Sequence, residues 1–231
     1  MQQLQHQKRL PLRKKKARNM KLLDELLFRF QKSGKLFTIV DLVSVFPDGK
    51  ITKHKRWHGK SLLGNFLQVL YTQYSKGNVT NYALGSFNGS TNNNTTKATS
   101  GYQANSISSC MYIDPAVGNA NFGIQFGTGT TPVTALDYKV ETLIPNGVDA
   151  GQFSYQQQGA IQAPQNNGLV TTFILQRIAV NNSGGTITVN EVTLVEDCNA
   201  YFCIFRELVS GGQIVLDTQS ITCQITFQVT T

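Results

Sequence analysis

The stretch "FILQRIAVNNSGGTITVNEVTLV", Phe173 to Val195, reads as two strand-like runs on either side of a soft polar turn. Ile174, Ile178 and Val180 share one face of the first run, with Gln176 interrupting it. "NNSGG" (181–185) has the length of a five-residue hairpin loop. In the second run Ile187 and Val189 share a face, while Val192 and Leu194 fall out of phase with them. A β-bulge near Asn190–Glu191 is expected to restore the register. The stretch therefore predicts a hairpin, and it carries no acid, base or nucleophile in a recognisable arrangement.

Working outward, the same texture continues on both sides. Strands are expected at 121–127, 152–157, 169–180, 186–195, 200–208, 213–217 and 220–230. The last is a regular alternation: Ile221, Cys223, Ile225, Phe227 and Val229 face one way, and Thr222, Gln224, Thr226 and Gln228 the other. A period of two over nine residues means one buried face and one wet face. Short strands separated by turn clusters are the signature of a sandwich or barrel. The expected fold is mainly β, with a β-sandwich body over 107–231 for which a jelly-roll is one arrangement. Long strands poor in charge imply exposed edges that seek partners.

Upstream the composition changes. Residues 85–106, with "GSFNGSTNNNTTKATSG" at 85–101, bury almost nothing and read as a polar linker or surface loop. Residues 20–84 read as a small α/β segment. A helix is expected over 20–31, where Met20, Leu23, Leu27 and Phe30 repeat at helical spacing and Ser33–Gly34 follows. A hairpin follows: 36–46, a "PDGK" turn at 47–50, and a returning strand at 51–57 with alternating charges. A second helix is expected over 61–74, with Ser61 as its N-cap.

Charge is distributed unevenly. The chain carries a net +8, but residues 1–60 hold 16 Lys/Arg against 4 Asp/Glu, and the remaining 171 residues hold 5 against 9. A basic tail is joined to a slightly acidic body. Within residues 1–19, Lys8, Arg9, Arg13, Lys14, Lys15, Lys16 and Arg18 form an arm that mutual repulsion keeps unfolded until it meets an anion or a partner subunit. Such residues neutralise phosphates through counterion release, without regard to sequence. Lys53, Lys55, Arg56 and Lys60 would extend the basic surface, and Trp57 could stack on a base or anchor a core.

Candidate chemistry is sparse. All three histidines (His6, His54, His58) precede residue 60, which removes Ser-His-Asp and Cys-His arrangements from the β body. His54 and His58 stand at i, i+4 in an expected strand or turn, without the glutamate of a metalloprotease helix. Cys110, Cys198, Cys203 and Cys223 form no Cys-x-x-Cys pair and are expected as buried, reduced thiols. "GTGTT" (127–131) lacks the Gly-Lys-Ser/Thr of a phosphate loop. The carboxylates Asp137, Glu141, Asp149, Glu191, Glu196, Asp197, Glu207 and Asp217 show no spacing that marks two of them as a pair. No catalytic, cofactor-binding or metal-ligating residue is assigned, and the chain is expected not to be an enzyme. No stretch approaches the roughly 18 uninterrupted apolar residues of a membrane span, so no membrane partner is expected and synthesis in a cytoplasm is.

Three stretches carry a resemblance: "FGIQFGTGTTPVTALDYKVETLIPNG" followed by "GQFSYQ", "FILQRIAVNNSGGTITVNEVTLV", and "FRELVSGGQIVLDTQSITCQITFQVTT". Together they resemble β-sandwich structural proteins of the virions of tailed phages and related prokaryotic viruses. The resemblance spans about 106–231. Where that family carries a Gly-Gln turn before its last strand, this chain has "LDTQS" (216–220), which leaves that turn open. The resemblance implies a virion or capsid component that assembles with itself and other virion proteins and contacts genome nucleic acid or neighbouring subunits through its arm. Other readings stay open: a major jelly-roll capsid protein of a small icosahedral virus, a nucleic-acid-binding accessory protein, or a carbohydrate-binding module.

Overall fold

The strand that closes the chain determines what it can pair with. Its alternation buries Ile221, Cys223 and Ile225 completely on one face, and a strand with one apolar face must lie inside a sheet with that face on the core. The computed structural model describes residues 35–67, 112–159, 161, 163–197 and 201–230. The arm at 1–19, the helix expected at 20–31, the polar stretch at 85–106, Cys110 and Cys198 lie outside these residues, as does the helix expected over 61–74 beyond residue 67.

Nine strands are present among the described residues: β1 (Lys35–Val45), β2 (Ile51–Gly59), β3 (Gly123–Gly127), β4 (Ser154–Gln158), β5 (Gln165–Asn167), β6 (Val170–Val180), β7 (Ile187–Asp197), β8 (Tyr201–Val215) and β9 (Ser220–Thr230). They form two antiparallel sheets, one ordered β2-β1-β9-β6-β4 with β5 added to β6, the other ordered β3-β7-β8. The fold is mainly β, as expected. One core draws on both sheets: Val40, Leu42, Leu175, Ile221 and Ile225 from the larger, Ile124, Phe126, Val189, Val192, Leu194 and Phe205 from the smaller. Each such side chain contributes roughly 1.5–3 kcal/mol by leaving water. No helix among the described residues is long and apolar enough to cross a membrane.

The opening stretch is not a hairpin. β6 pairs with β4, β5 and β9, whereas β7 pairs with β3 and β8. The chain crosses from one sheet to the other between Val180 and Ile187, and crosses back between Val215 and Ser220. The β6–β9 ladder ends at Val180↔Ser220 and the β7–β8 ladder resumes at Ile187↔Val215. Strands β6 to β9 therefore form one long antiparallel ribbon folded over a corner, with its two halves in different sheets.

Asn181 holds that corner. It is fully buried. Its Nδ2 donates to Gly185 O (2.7 Å) and Val215 O (2.9 Å), and its Oδ1 accepts from Ser183 N (3.1 Å) and Ser183 Oγ (2.7 Å). Its backbone N donates to Gln219 O (2.8 Å) and its carbonyl accepts from Thr218 N (2.7 Å). Gly184 N adds a bond to Asp217 Oδ1 (2.9 Å). The opposing crossing requires a left-handed residue at Thr218 (φ 66°), an unfavourable conformation for a β-branched side chain.

β6 buries the face opposite the one that Ile174 and Ile178 share. Leu175, Arg177 and Ala179 point into the protein, and Ile174 and Ile178 point outward, each 39% exposed. The expected phase break in β7 is present: the ladder shifts between Val189 and Glu191, which brings Val189, Val192 and Leu194 all into the core. The two strands expected at 200–208 and 213–217 are a single strand, β8. It bulges between Leu208 and Gln213, where Gly211 and Gly212 take positive φ (66° and 59°).

The N-terminal hairpin does not stand apart in a 20–84 segment. β1 lies between β2 and β9 and pairs with β9 along its whole length. The second helix begins at 64 rather than at a cap on Ser61. Residues 61–63 are drawn onto β8 instead, through Arg206 N to Ser61 O (3.3 Å), Leu63 N to Ile204 O (2.9 Å) and the Leu62↔Phe205 bridge. This covers one strand edge, and other edges are covered similarly. The 142–144 segment bonds β3 and the residue after it through Ile144 N to Phe126 O and Thr128 N to Thr142 O, and residues 115–118 bond β4 through Gln158 N to Pro115 O and Gly118 N to Tyr155 O. The edge strand β2 instead carries Lys53, Lys55 and Arg56, charges that discourage edge pairing. Parts of the long edges expected from the sequence are thus covered or charged.

Replacing Asn181 by Ala leaves the Gly185 and Val215 carbonyls without their donor and is expected to lower stability by about 2–4 kcal/mol. Thr218→Gly relieves the left-handed strain and is expected to cost nothing or to stabilise by about 0.5–1 kcal/mol. Urea midpoints at constant m-value measure both; equal losses at the two positions would contradict the corner as described.

Candidate functional site

The expected contact residues fall into two groups. Lys8, Arg9, Arg13, Lys14, Lys15, Lys16 and Arg18 lie outside the described residues. Lys53, Lys55, Arg56, Trp57 and Lys60 sit on or just after β2, where strand alternation separates them. Arg56, with His54 and His58, lies on the outer face. There Asp41 of β1 accepts from His54 Nε2 (3.0 Å) and faces Arg56 Nε (3.7 Å). Lys60 is exposed, and its backbone N donates to the Glu207 carboxylate of β8. Lys53, Lys55 and Trp57 turn to the other face. Trp57 packs against the core with its indole N–H buried and unbonded. Lys53 and Lys55 reach the bulge of β8 and donate to its carbonyls. β2 therefore does not present one basic stripe. It presents Arg56 beside Asp41 on one face and a lysine pair on the other.

The strongest ionic arrangement was not marked by sequence spacing. Arg206 of β8, only 3% exposed, donates through Nε to Glu191 Oε2 (2.7 Å), through Nη1 to Asp137 Oδ2 (2.6 Å) and through Nη2 to Glu141 Oε2 (3.2 Å) and Thr131 O (3.2 Å). Glu191, fully buried on β7, also accepts from Gly129 N (3.1 Å), Thr142 N (3.0 Å) and Glu141 N (3.2 Å). These bonds pin the irregular segment 128–144 to the smaller sheet. Burial would raise the Asp137 pKa, but hydrogen bonds from Thr134 and Arg206 outweigh it and hold the group below the usual carboxylate range. The Thr131 hydroxyl and amide lower that of Glu141. Burial opposes the charge on Arg206, and Glu191 and Asp137 more than restore it. Asp137, Glu141 and Arg206 are thus held ionised, and the guanidinium fills the space between the carboxylates. A site arranged in this way fixes the position of the 128–144 segment on the smaller sheet. A sequence clue existed: Arg206 directly follows the apolar run "YFCIF" (201–205), and Glu191 sits at the phase break of β7.

A second buried cation, Arg177 of β6, donates to Ile124 O (2.9 Å), Phe122 O (3.0 Å), Gln156 O (3.2 Å) and Asn119 O, and lies 4.6 Å from the Tyr155 ring centroid. Burial pushes its pKa down to about 10. Cys203 and Cys223 are free thiols, fully buried, with pKa values raised by burial. Glu196 of β7 is different again: both carboxylate oxygens are buried without a hydrogen-bond partner, and burial pushes its pKa up to about 8. No three His, Cys, Asp or Glu side chains among the described residues are placed to hold a metal ion.

Glu191→Gln keeps the shape but removes the charge opposite Arg206, and is expected to cost about 3–5 kcal/mol in urea unfolding. A cost under about 1 kcal/mol would mean the cluster pins nothing. Glu196 sets a pH dependence. Between about 4.5 and about 8 the folded chain keeps a proton that the unfolded chain releases, so its contribution to stability falls as pH rises through that window and levels off above it. Glu196→Gln should match the parent near pH 4, and be more stable than it by a growing margin up to pH 8. Parallel stability curves for the two proteins would contradict this.

Comparison of the chain with protein-family models, with curated proteins and with solved structures finds no match. Any functional reading therefore starts from the chain's own residues.

Proposed function

We propose that this chain is a structural component of a virus particle, and that its two sheets are the layers of a β-sandwich of jelly-roll kind. The observation that carries the reading is the folded ribbon of residues 170–230, whose halves pair as β6–β9 in one sheet and β7–β8 in the other. Antiparallel ribbons folded into two sheets are how jelly rolls are built, and capsid and lectin domains are among their common uses. The resemblance of residues 106–231 to virion proteins points the same way. The ionic chemistry of the body supports it further, because Arg206, Glu191 and Arg177 are engaged in holding loops. The product of such a chain is shape.

Assembly in this reading runs through the β-sandwich and the basic arm. The unbalanced charge favours an anionic partner for the arm: residues 1–60 carry 16 Lys/Arg against 4 Asp/Glu, and the rest of the chain is net acidic. Genome nucleic acid, neighbouring subunits and other virion proteins are its proposed contacts, with no enzymatic step.

Deleting residues 1–19 tests the arm. The deletion removes seven Lys/Arg and no Asp/Glu. If the arm grips nucleic acid, affinity falls for all sequences alike, and the slope of log affinity against log salt shrinks by about 5 to 6, at roughly 0.7–0.9 per phosphate. If it grips a neighbouring subunit, the truncated chain keeps its salt slope and fails to assemble in light scattering. A truncated chain that assembles and binds as the parent does would overturn the role given to the arm.

A further inference from the structure

Two lysines of β2 end on one backbone oxygen. Lys53 Nζ donates to Gly212 O at 3.2 Å, and Lys55 Nζ donates to the same oxygen at 2.6 Å and also to Ser210 O. The two nitrogens can be no farther apart than these two bonds laid end to end, 5.8 Å. The carbonyls are available because β8 leaves its ladder here: residues 209–212 stand opposite the single residue Asn190 of β7. Gly211 and Gly212 take the left-handed conformation that turns the bulge.

The bonds do not exhaust the lysines. An ammonium carries three donors and no acceptor. Lys53 uses one donor in these bonds and Lys55 two, which leaves three N–H groups and two positive charges at one place. Neither lysine forms an ion pair with a carboxylate among the described residues. Both side chains are only partly buried, so the unused donors have access to solvent. Like charges held this close repel. Burial and then the Lys53 charge both lower the Lys55 pKa. A bound anion would remove the repulsion and satisfy the free donors together.

We propose that the Lys53–Lys55 pair, fixed over the bulge of β8, is a binding site for a tetrahedral oxyanion of the phosphate type. Charge-assisted N–H···O bonds run about 2.7–2.9 Å, so one phosphate oxygen, or two oxygens of the same group, reach both nitrogens across at most 5.8 Å. The carbonyls hold the ammonium groups in place beforehand, which lowers the ordering cost of binding. Free phosphate and the phosphodiester of a nucleic acid share this chemistry. The site stands on two side chains and one bulge, and holds whether or not the chain belongs to a virus particle.

The test follows the lysine Nζ resonances of the full chain by NMR, assigned with the single variants Lys53→Arg and Lys55→Arg. Inorganic phosphate is titrated first, then a short single-stranded oligonucleotide, with sodium chloride at matched ionic strength as the control. The expected result is a saturable shift of the Lys53 and Lys55 signals with a Kd on the order of 1 mM for inorganic phosphate, and at least tenfold weaker binding in the Lys53→Met, Lys55→Met double variant. A shift with both titrants assigns a general phosphate site, and a shift with the oligonucleotide alone assigns the phosphodiester. Signals that move no more than in chloride, with either titrant, overturn the proposal and leave the pair as a clamp on the bulge. The readout sits on the native side chains, so a double variant that fails to fold does not blunt it.

Discussion

The two-sheet arrangement depends on one buried side chain. An antiparallel ribbon can fold into a second sheet only where its ladder is interrupted, and each interruption strands backbone groups that cost about 1–3 kcal/mol apiece when buried without partners. Asn181 meets that need at a single point. Its amide supplies two donors to carbonyls on both crossings, at Gly185 and Val215, and its oxygen accepts twice from Ser183. Aspartate could accept but not donate, and serine is too short to serve both crossings. The pairing partners of β6 through β9, and the core they enclose, follow from this corner.

Charge is handled inside the body by the same logic. The irregular segments that flank β3 have few ladder bonds of their own, and buried arginines fasten them. Arg206 holds 128–144 through carboxylates, and Arg177 holds 119–124 through carbonyls. Breaking such an arrangement is costly even where forming it gained little, because removal of one partner leaves a charge stranded in low dielectric. These groups therefore specify loop position more than they add stability. The surplus of positive charge is concentrated in the first 60 residues, and ten of the 16 Lys/Arg there precede residue 35. That uneven distribution of charge underlies the structural role proposed for the chain.

Much of this was legible in the sequence, and the exceptions have identifiable causes. Turn clusters bounding short strand-like runs located β3, β4, β6 and β7 within a few residues, and alternation located β9, because a half-buried strand must alternate. The phase break at Asn190–Glu191 marked the bulge in β7 for the same reason. Alternation cannot say which strand a given strand pairs with. "NNSGG" suits a hairpin loop and a sheet-to-sheet crossing equally well, and the deciding contacts, from Asn181 to Val215 and Gln219, join residues more than thirty positions apart. The inward face of β6 is not legible in the sequence because one of its three positions is Arg177, whose burial depends on carbonyls from distant loops. Ser210–Gly211–Gly212 looked like a turn between two strands and is a bulge within one, since Lys53 and Lys55 bind the carbonyls it frees. The ion cluster escaped notice because Asp137, Glu141, Glu191 and Arg206 converge only after folding.

The most direct test of the folded ribbon is the set of cross-strand nuclear Overhauser effects in the folded protein. The account predicts contacts of Leu175 with Ile225 and of Arg177 with Cys223 in one sheet, and of Thr193 with Arg206 in the other. It predicts no ladder between β6 and β7 on either side of residues 181–186. A continuous set of backbone contacts pairing Val180 with Ile187 and running outward along both strands would restore the simple hairpin and contradict the account.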